Sequence, residues 1–139
     1  MAISLSFRTV LAAAGVAAVL CMITPGNAAP VSQTVTRTLL ERTDVPGTQL
    51  ETRLYLMTYP PGVAAPVHHH PVAGVGYIVE GTARSAYGTQ LPATLTAGES
   101  FQDKVAVPHT VFANADAQKP LVFLIAYTVR KGAPVVETP

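Results

Sequence analysis

The stretch Pro61–Gly81, PGVAAPVHHHPVAGVGYIVEG, decides how the rest of the sequence is interpreted. It places three consecutive histidines between glycine-containing turns. Side chains of an extended segment alternate between two faces, so His68 and His70 point the same way and His69 points the opposite way. Two imidazoles on one face, joined by a third from elsewhere in the chain, form a compact set of nitrogen ligands that suits a divalent metal ion.

The remaining histidine, His109, lies in a second stretch, GESFQDKVAVPHTVFAN, at residues 98–114. A lone histidine before a strand is more often a structural hydrogen-bonding residue than a ligand. A histidine triplet is also compatible with a solvated loop. The residues alone therefore leave three interpretations open: a metal site, a structural role for His109, and a histidine triplet in a solvated loop.

Around these stretches, short β-type segments alternate with turns rich in Gly, Pro, Asn and Asp. No long stretch has the 3.6-residue hydrophobic period of an amphipathic helix. Most of the twelve prolines sit at segment ends, where no backbone donor is needed for strand pairing. This spacing indicates an all-β sandwich or barrel. The predicted strands are residues 35–40, 51–59, 75–79, 82–87, 91–95, 110–113 and 120–129.

In the spacing of its glycines and histidines, the first stretch resembles the first motif of the cupin family. The second stretch resembles the second cupin motif more weakly, since Lys104 and Ala106 replace its usual proline and glycine, and Asn114 comes one residue late. The chain is similar to small single-domain cupins of the exported bacterial type, which implies a single jelly-roll-like β-barrel. The first-motif positions are Gly62, His68, His70, Gly74 and Gly81.

In cupins, two histidines and a glutamate of the first motif and one histidine of the second bind a metal. The resemblance therefore implies His68, His70 and His109 as ligands of one divalent ion (Zn, Mn, Fe, Ni or Cu). Gly74 stands where the family has glutamate. We expect Gly74 and Gly76 to leave open space beside the metal, and a Gly74→Glu variant to tighten metal binding.

No catalytic residue is assigned from the sequence. Glu80 is expected in a solvated hairpin turn, and Lys104 at the surface or, as the alternative, leaning into the pocket. The tyrosines are expected to pack within strands. No Gly-x-Ser-x-Gly turn or phosphate-binding loop is present.

The N-terminal segment has the layout of a secretory signal peptide. Arg8 precedes an apolar run from Val10 to Ile23, and small residues at 26 and 28 mark a cleavage site. The alternatives are an uncleaved membrane anchor, for which the run is short, and lipidation at Cys21, which Leu20 disfavours. The predicted organisation is a signal peptide (1–28), a tether (29–36), a cupin barrel (37–131) and a C-terminal tail (132–139) that wraps the surface or stays mobile. The mature protein is expected to be exported, either periplasmic or secreted.

Charge excludes some partners. Without Arg8, eight basic residues face eight acidic ones, and no basic run occurs. Nucleic acid and, for the mature form, membrane are therefore poor partners. A small-molecule ligand is expected. The resemblance to cupins also implies a homodimer formed through the sheets.

Three functions stay open at this level. The first is a binding module that holds one metal and a small organic ligand. The second is a metal-dependent, dioxygenase-like oxidoreductase, because some dioxygenases related to cupins use three histidines. The third is a structural protein with a vestigial metal site. Fold alone does not choose among them.

Overall fold

A computed structural model describes residues 33–139, so the predicted signal peptide and the first half of the predicted tether lie outside the described residues. The described part forms eight β-strands and no helix, and it therefore has no helix able to cross a membrane. The strands are β1 (Thr36–Asp44), β2 (Leu50–Tyr59), β3 (Gly74–Glu80), β4 (Thr82–Tyr87), β5 (Ala93–Thr96), β6 (Ser100–Asp103), β7 (His109–Asn114) and β8 (Leu121–Arg130).

The strands form two antiparallel sheets. The larger has the order β1-β2-β8-β3-β6, and the smaller has the order β5-β4-β7. Strands that are distant in sequence become neighbours, as when β8 pairs with both β2 and β3. The predicted all-β fold is confirmed.

The core lies between the two sheets, and β8 contributes most to it. Its burial alternates along the strand, with Leu121, Phe123, Ile125, Tyr127 and Val129 buried. This is the two-residue period of a strand with one face in the core. The buried residues pack against aromatic rings from other strands, including Tyr59 of β2 and Phe112 of β7.

Gly74 and Gly76 face this core, but the expectation that they leave open space beside the site is wrong. A Cβ atom at Gly74 would come 2.4 Å from a ring carbon of Tyr127, and one at Gly76 would come 2.3 Å from a ring carbon of Phe101. The glycines therefore make room for two aromatic rings. A glutamate at position 74 would have to displace the Tyr127 ring to reach the histidines, and the tighter metal binding expected of Gly74→Glu stays a prediction.

One strand, β6, was not predicted. The C-terminal tail is anchored to the barrel: Val135 is buried, and residues 69 and 137 exchange two backbone hydrogen bonds of 2.9 Å. Arg53 of β2 also donates a hydrogen bond to the Ala133 carbonyl. The tail thus forms part of the wall beside the histidines.

Candidate metal centre

Three histidines converge inside the barrel. His68 and His70 lie in the segment before β3, and His109 begins β7. Residues 68 and 109 are paired as an antiparallel bridge, with hydrogen bonds of 2.7 and 3.4 Å between their backbones. One ring nitrogen from each histidine lies within 4.8 Å of one from each of the others. The side chain of His69 points outward to Glu137, as the alternation predicted.

Hydrogen bonds hold each ring in one orientation. His68 Nδ1 lies 2.7 Å from the Pro66 carbonyl, and His70 Nδ1 lies 2.8 Å from the Val135 carbonyl. A carbonyl only accepts, so both Nδ1 atoms carry a proton, and in the neutral rings both Nε2 atoms keep a lone pair. For His109 the hydrogen bond lies on the other side of the ring, where Nε2 is 2.9 Å from Ser85 Oγ, a hydroxyl that can accept or donate.

The remaining nitrogen of His109 has no hydrogen-bond partner. Among residues 33–139, its Nδ1 is the only buried side-chain nitrogen or oxygen in this condition. The residue itself is 2% exposed. Buried polar atoms are nearly always paired, and an unpaired one often marks a site for an ion or water. The free nitrogens of the cluster are thus His68 Nε2, His70 Nε2 and His109 Nδ1.

Burial favours the neutral form of two of these rings, His68 and His109. Burial lowers the pKa of His68 and lowers the pKa of His109 to about 4. A neutral imidazole has the lone pair that a metal needs, whereas the protonated form has none. A set of three imidazole nitrogens suits a divalent metal ion.

One acidic residue of the site was missed by the sequence analysis. Asp103, the last residue of β6, is 4% exposed. Its Oδ2 lies 3.3 Å from His70 Nε2, and its Oδ1 lies 3.8 Å from His109 Nδ1. The available signal was its position two residues after Phe101, which places both on the inner face of a strand, but that strand was not predicted.

Two tyrosines expected only to pack also take part. Tyr87 donates a 2.8 Å hydrogen bond to Asp103 Oδ1, and Tyr127 donates one to Asp103 Oδ2. Burial and the Asp103 charge raise the pKa of both phenols well above the usual range, so both hydroxyls stay protonated donors. Their rings stack on His109 and His70, respectively.

Other candidate residues remain outside the cluster. Glu80 is exposed, as expected. Lys104 is also exposed. Its Nζ donates a hydrogen bond to Gln90 and lies 5.1 Å from the centre of the Tyr87 ring. The side chain therefore does not lean into the pocket. Asn114 is structural, because its amide donates to the carbonyls of residues 59, 60 and 119.

A cavity of about 280 Å³ opens beside the histidines. Its wall is mainly apolar, and Asp103 and Arg37 are its charged residues. The tail contributes residues 135, 136 and 138 to the wall. The other apolar and aromatic lining residues include Val35, Met57, Phe101, Phe112, Phe123, Ile125 and Tyr127.

Comparison with known proteins agrees with this architecture. A family model for the cupin domain matches residues 55–127, more than half of the chain. No curated protein matches the chain.

Several solved structures are similar to it. A cupin-like protein from Thermotoga maritima has 21% identity and a TM-score of 0.62, over 78% of this chain and 77% of that one. The polyketide cyclase RemF from Streptomyces resistomycificus has 23% identity and a TM-score of 0.58, over 75% and 70%. The DMSP lyase DddQ from Ruegeria pomeroyi has 18% identity and a TM-score of 0.57, over 74% of this chain and 50% of that one. At these identities the likeness shows the fold alone.

Proposed function

The chain belongs to the cupin-domain family, and on that basis we propose that it binds one divalent metal ion through His68, His70 and His109 and a small organic molecule in the adjoining cavity. The observation that carries the proposal is the buried Nδ1 of His109, which has no hydrogen-bond partner and belongs to a cluster in which one ring nitrogen of each histidine lies within 4.8 Å of one from each of the others. A buried ring nitrogen left without any hydrogen-bond partner is costly, and a metal ion bound to its lone pair offsets that cost.

The hydrogen-bond pattern supports the metal proposal. Histidine ligands of metals usually donate the other ring nitrogen to a carbonyl or another acceptor, which fixes the tautomer. His68 and His70 do so to backbone carbonyls, and Ser85 Oγ is the acceptor available to His109. Three protein nitrogens leave coordination positions open towards the cavity.

The cavity supports a ligand of moderate size. Its apolar wall favours a compact, mainly apolar molecule with a polar group that reaches the metal. We propose this binding as the core function. Catalysis is the second candidate, because open positions on a metal that faces an enclosed cavity allow a substrate to be oriented and polarised.

Metal content tests the first proposal. The purified mature protein, loaded in turn with Zn²⁺, Mn²⁺, Fe²⁺, Ni²⁺ and Cu²⁺ and then desalted, is expected to retain close to one equivalent of at least one of them by elemental analysis. His68→Ala and His109→Ala are expected to lose it. His69→Ala is the matched control and is expected to retain it. Wild-type protein that retains no metal would contradict the proposal.

Ligand binding and catalysis are tested next. A panel of small phenols and diketones is expected to include molecules that shift amide resonances of the residues around the cavity in the metal-loaded protein. Oxygen uptake and product formation with the same panel then separate the two candidates. Turnover that depends on His109 would establish the enzyme, and binding without turnover supports the binding module.

Export is proposed as well, on the layout of residues 1–28. Expression of the full sequence in a Gram-negative host, followed by fractionation and N-terminal sequencing, is expected to give an exported product beginning near residue 29. An intact product in the cytoplasm would contradict export without affecting the metal proposal.

A further inference from the structure

Asp103 lies where it can complete the metal site. Its carboxylate is buried, and it neighbours two of the three nitrogens that face the shared space, His70 Nε2 at 3.3 Å and His109 Nδ1 at 3.8 Å. Ligand atoms about 2.0–2.2 Å from one metal ion are separated by roughly 3–3.5 Å at tetrahedral or octahedral angles. The His70 separation lies in this range, the His109 separation is longer, and the two contacts are made by different oxygens of the carboxylate.

The charge of Asp103 also calls for a cation. Within residues 33–139, no lysine or arginine nitrogen lies within 4 Å of its carboxylate, and the basic groups that do are the two histidines. A buried carboxylate without a cationic partner is costly, and a coordinated metal ion is one of the usual partners.

Two phenols hold the carboxylate in place. Tyr87 donates to Oδ1 and Tyr127 donates to Oδ2, one bond to each oxygen. Each carboxylate oxygen accepts two hydrogen bonds or metal contacts, so each has a lone pair left. The tyrosines therefore orient Asp103 and still allow it to bind a metal.

Strand pairing explains why the carboxylate comes from β6. Gly74 of β3 pairs with Asp103 of β6 on one side and with Tyr127 of β8 on the other. The Tyr127 ring covers the position where a side chain at residue 74 would start. Strand β6, which pairs with β3, presents the Asp103 side chain to the same space.

We propose that Asp103 is the anionic ligand of the metal centre, with Tyr87 and Tyr127 as positioning residues. This inference rests on the proposed function, because it presupposes that the three histidines bind a metal. It changes the chemistry of the centre: one carboxylate reduces the charge of a divalent ion from two to one and makes the site less selective for soft metals.

Metal affinity of matched variants tests the proposal. Asp103→Asn keeps the size of the side chain and removes its charge, and it is expected to weaken Zn²⁺ binding by at least about tenfold in a competition assay with a chromogenic chelator. Glu80→Gln removes an exposed carboxylate and is expected to leave Zn²⁺ affinity unchanged. Unchanged affinity in Asp103→Asn, with tight binding by the wild type, would overturn the role of Asp103 and leave the histidine site intact. Absence of binding by the wild type would overturn both.

A measurement on the unmodified protein covers the case in which Asp103→Asn fails to fold. The mature chain has three aspartates, at positions 44, 103 and 116. With aspartate labelled by ¹³C at the side-chain carboxyl, Zn²⁺ is expected to move one of three carboxyl resonances, while the other two stay as internal controls. The Asp44→Asn and Asp116→Asn variants assign the two controls. Three unmoved resonances in protein that holds Zn²⁺ would contradict coordination by Asp103.

Discussion

At the scale of single residues, the orientation of His109 depends on Ser85. The hydroxyl of Ser85 lies 2.9 Å from His109 Nε2, which leaves Nδ1 to face the other histidines. Without this hydrogen bond, the imidazole ring is freer to rotate, and a rotation can move Nδ1 away from the other histidines. Outer hydrogen bonds of this kind typically contribute about 10–100-fold to metal affinity.

We therefore expect Ser85→Ala to weaken Zn²⁺ binding by about tenfold with little loss of stability in the metal-free protein. Chelator competition measures the affinity, and urea unfolding with EDTA measures the stability. Ser85→Thr keeps the hydroxyl and serves as the control, with affinity near that of the wild type. Equal affinities for the alanine and threonine variants would contradict the role of the hydroxyl.

The low pKa of His109 also predicts a pH dependence. In the unfolded chain the ring binds a proton below about pH 6.5, whereas burial lowers its pKa to about 4 in the folded chain. Between these two values the unfolded state binds more protons, so the free energy of unfolding decreases as the pH falls. The loss attributable to this group is about 3 kcal/mol and is complete near pH 4.

Urea unfolding of the metal-free protein between pH 7 and 4 measures this slope. His109→Gln is expected to flatten it, because glutamine does not titrate in this range. His69→Gln is the control, since His69 lies outside the cluster, and it is expected to retain the slope. The same steepness in His109→Gln as in the wild type would assign the pH dependence to other groups.

At the scale of elements, the contact between β3 and β8 decides what position 74 can hold. The ring of Tyr127 lies against the Cα of Gly74, with a ring carbon 2.4 Å from the position of a Cβ atom. An added methyl group forces the ring or the strand to move, and such overpacking typically costs about 1–3 kcal/mol.

Gly74→Ala is therefore expected to lower the free energy of unfolding by about 1–3 kcal/mol, and Gly74→Glu by more. Urea unfolding of the metal-free protein measures both. The double variant Gly74→Ala/Tyr127→Ala removes the ring, so the cost of the alanine at position 74 should be smaller in that background than in the wild type. An equal cost in both backgrounds would show that the ring is not the obstacle.

The same elements show what the sequence could and could not predict. Strand β8 has ten residues with strong alternation, and β4 was predicted with its observed bounds, Thr82–Tyr87. Strand β6 has four residues, SFQD, of which one is apolar. A segment so short and polar has no hydrophobic period to detect, and its position depends on pairing with β3. Asp103 was missed for that reason.

The histidine cluster was predictable for a different physical reason. His68 and His70 are separated by one residue, so local alternation alone places them together. His109 was assigned to the same cluster because the stretch that contains it resembles the second cupin motif. The partners of His70 and His109 were beyond prediction, because the Val135 carbonyl and the Ser85 hydroxyl lie 65 and 24 residues away from the rings that they contact.

At the scale of the whole molecule, the C-terminal tail links the stability of the barrel to the geometry of the centre. The Val135 side chain is 4% exposed, and the carbonyl of the same residue lies 2.8 Å from His70 Nδ1. Removal of residues 133–139 exposes core surface and takes away the acceptor that orients His70. We expect a loss of about 2–4 kcal/mol in the free energy of unfolding and about tenfold weaker Zn²⁺ binding.

The two effects separate in a point variant, because they come from different atoms of Val135. Val135→Ala removes two methyl groups from the core and retains the carbonyl, so it should cost about 2 kcal/mol of stability and leave Zn²⁺ affinity near that of the wild type. Urea unfolding with EDTA and chelator competition measure the two quantities on the same samples. If Val135→Ala weakened Zn²⁺ binding as much as the truncation does, the packing of the tail and not its carbonyl would position His70. If the truncated protein bound Zn²⁺ as the wild type does, the tail would stabilise the barrel without contributing to the centre.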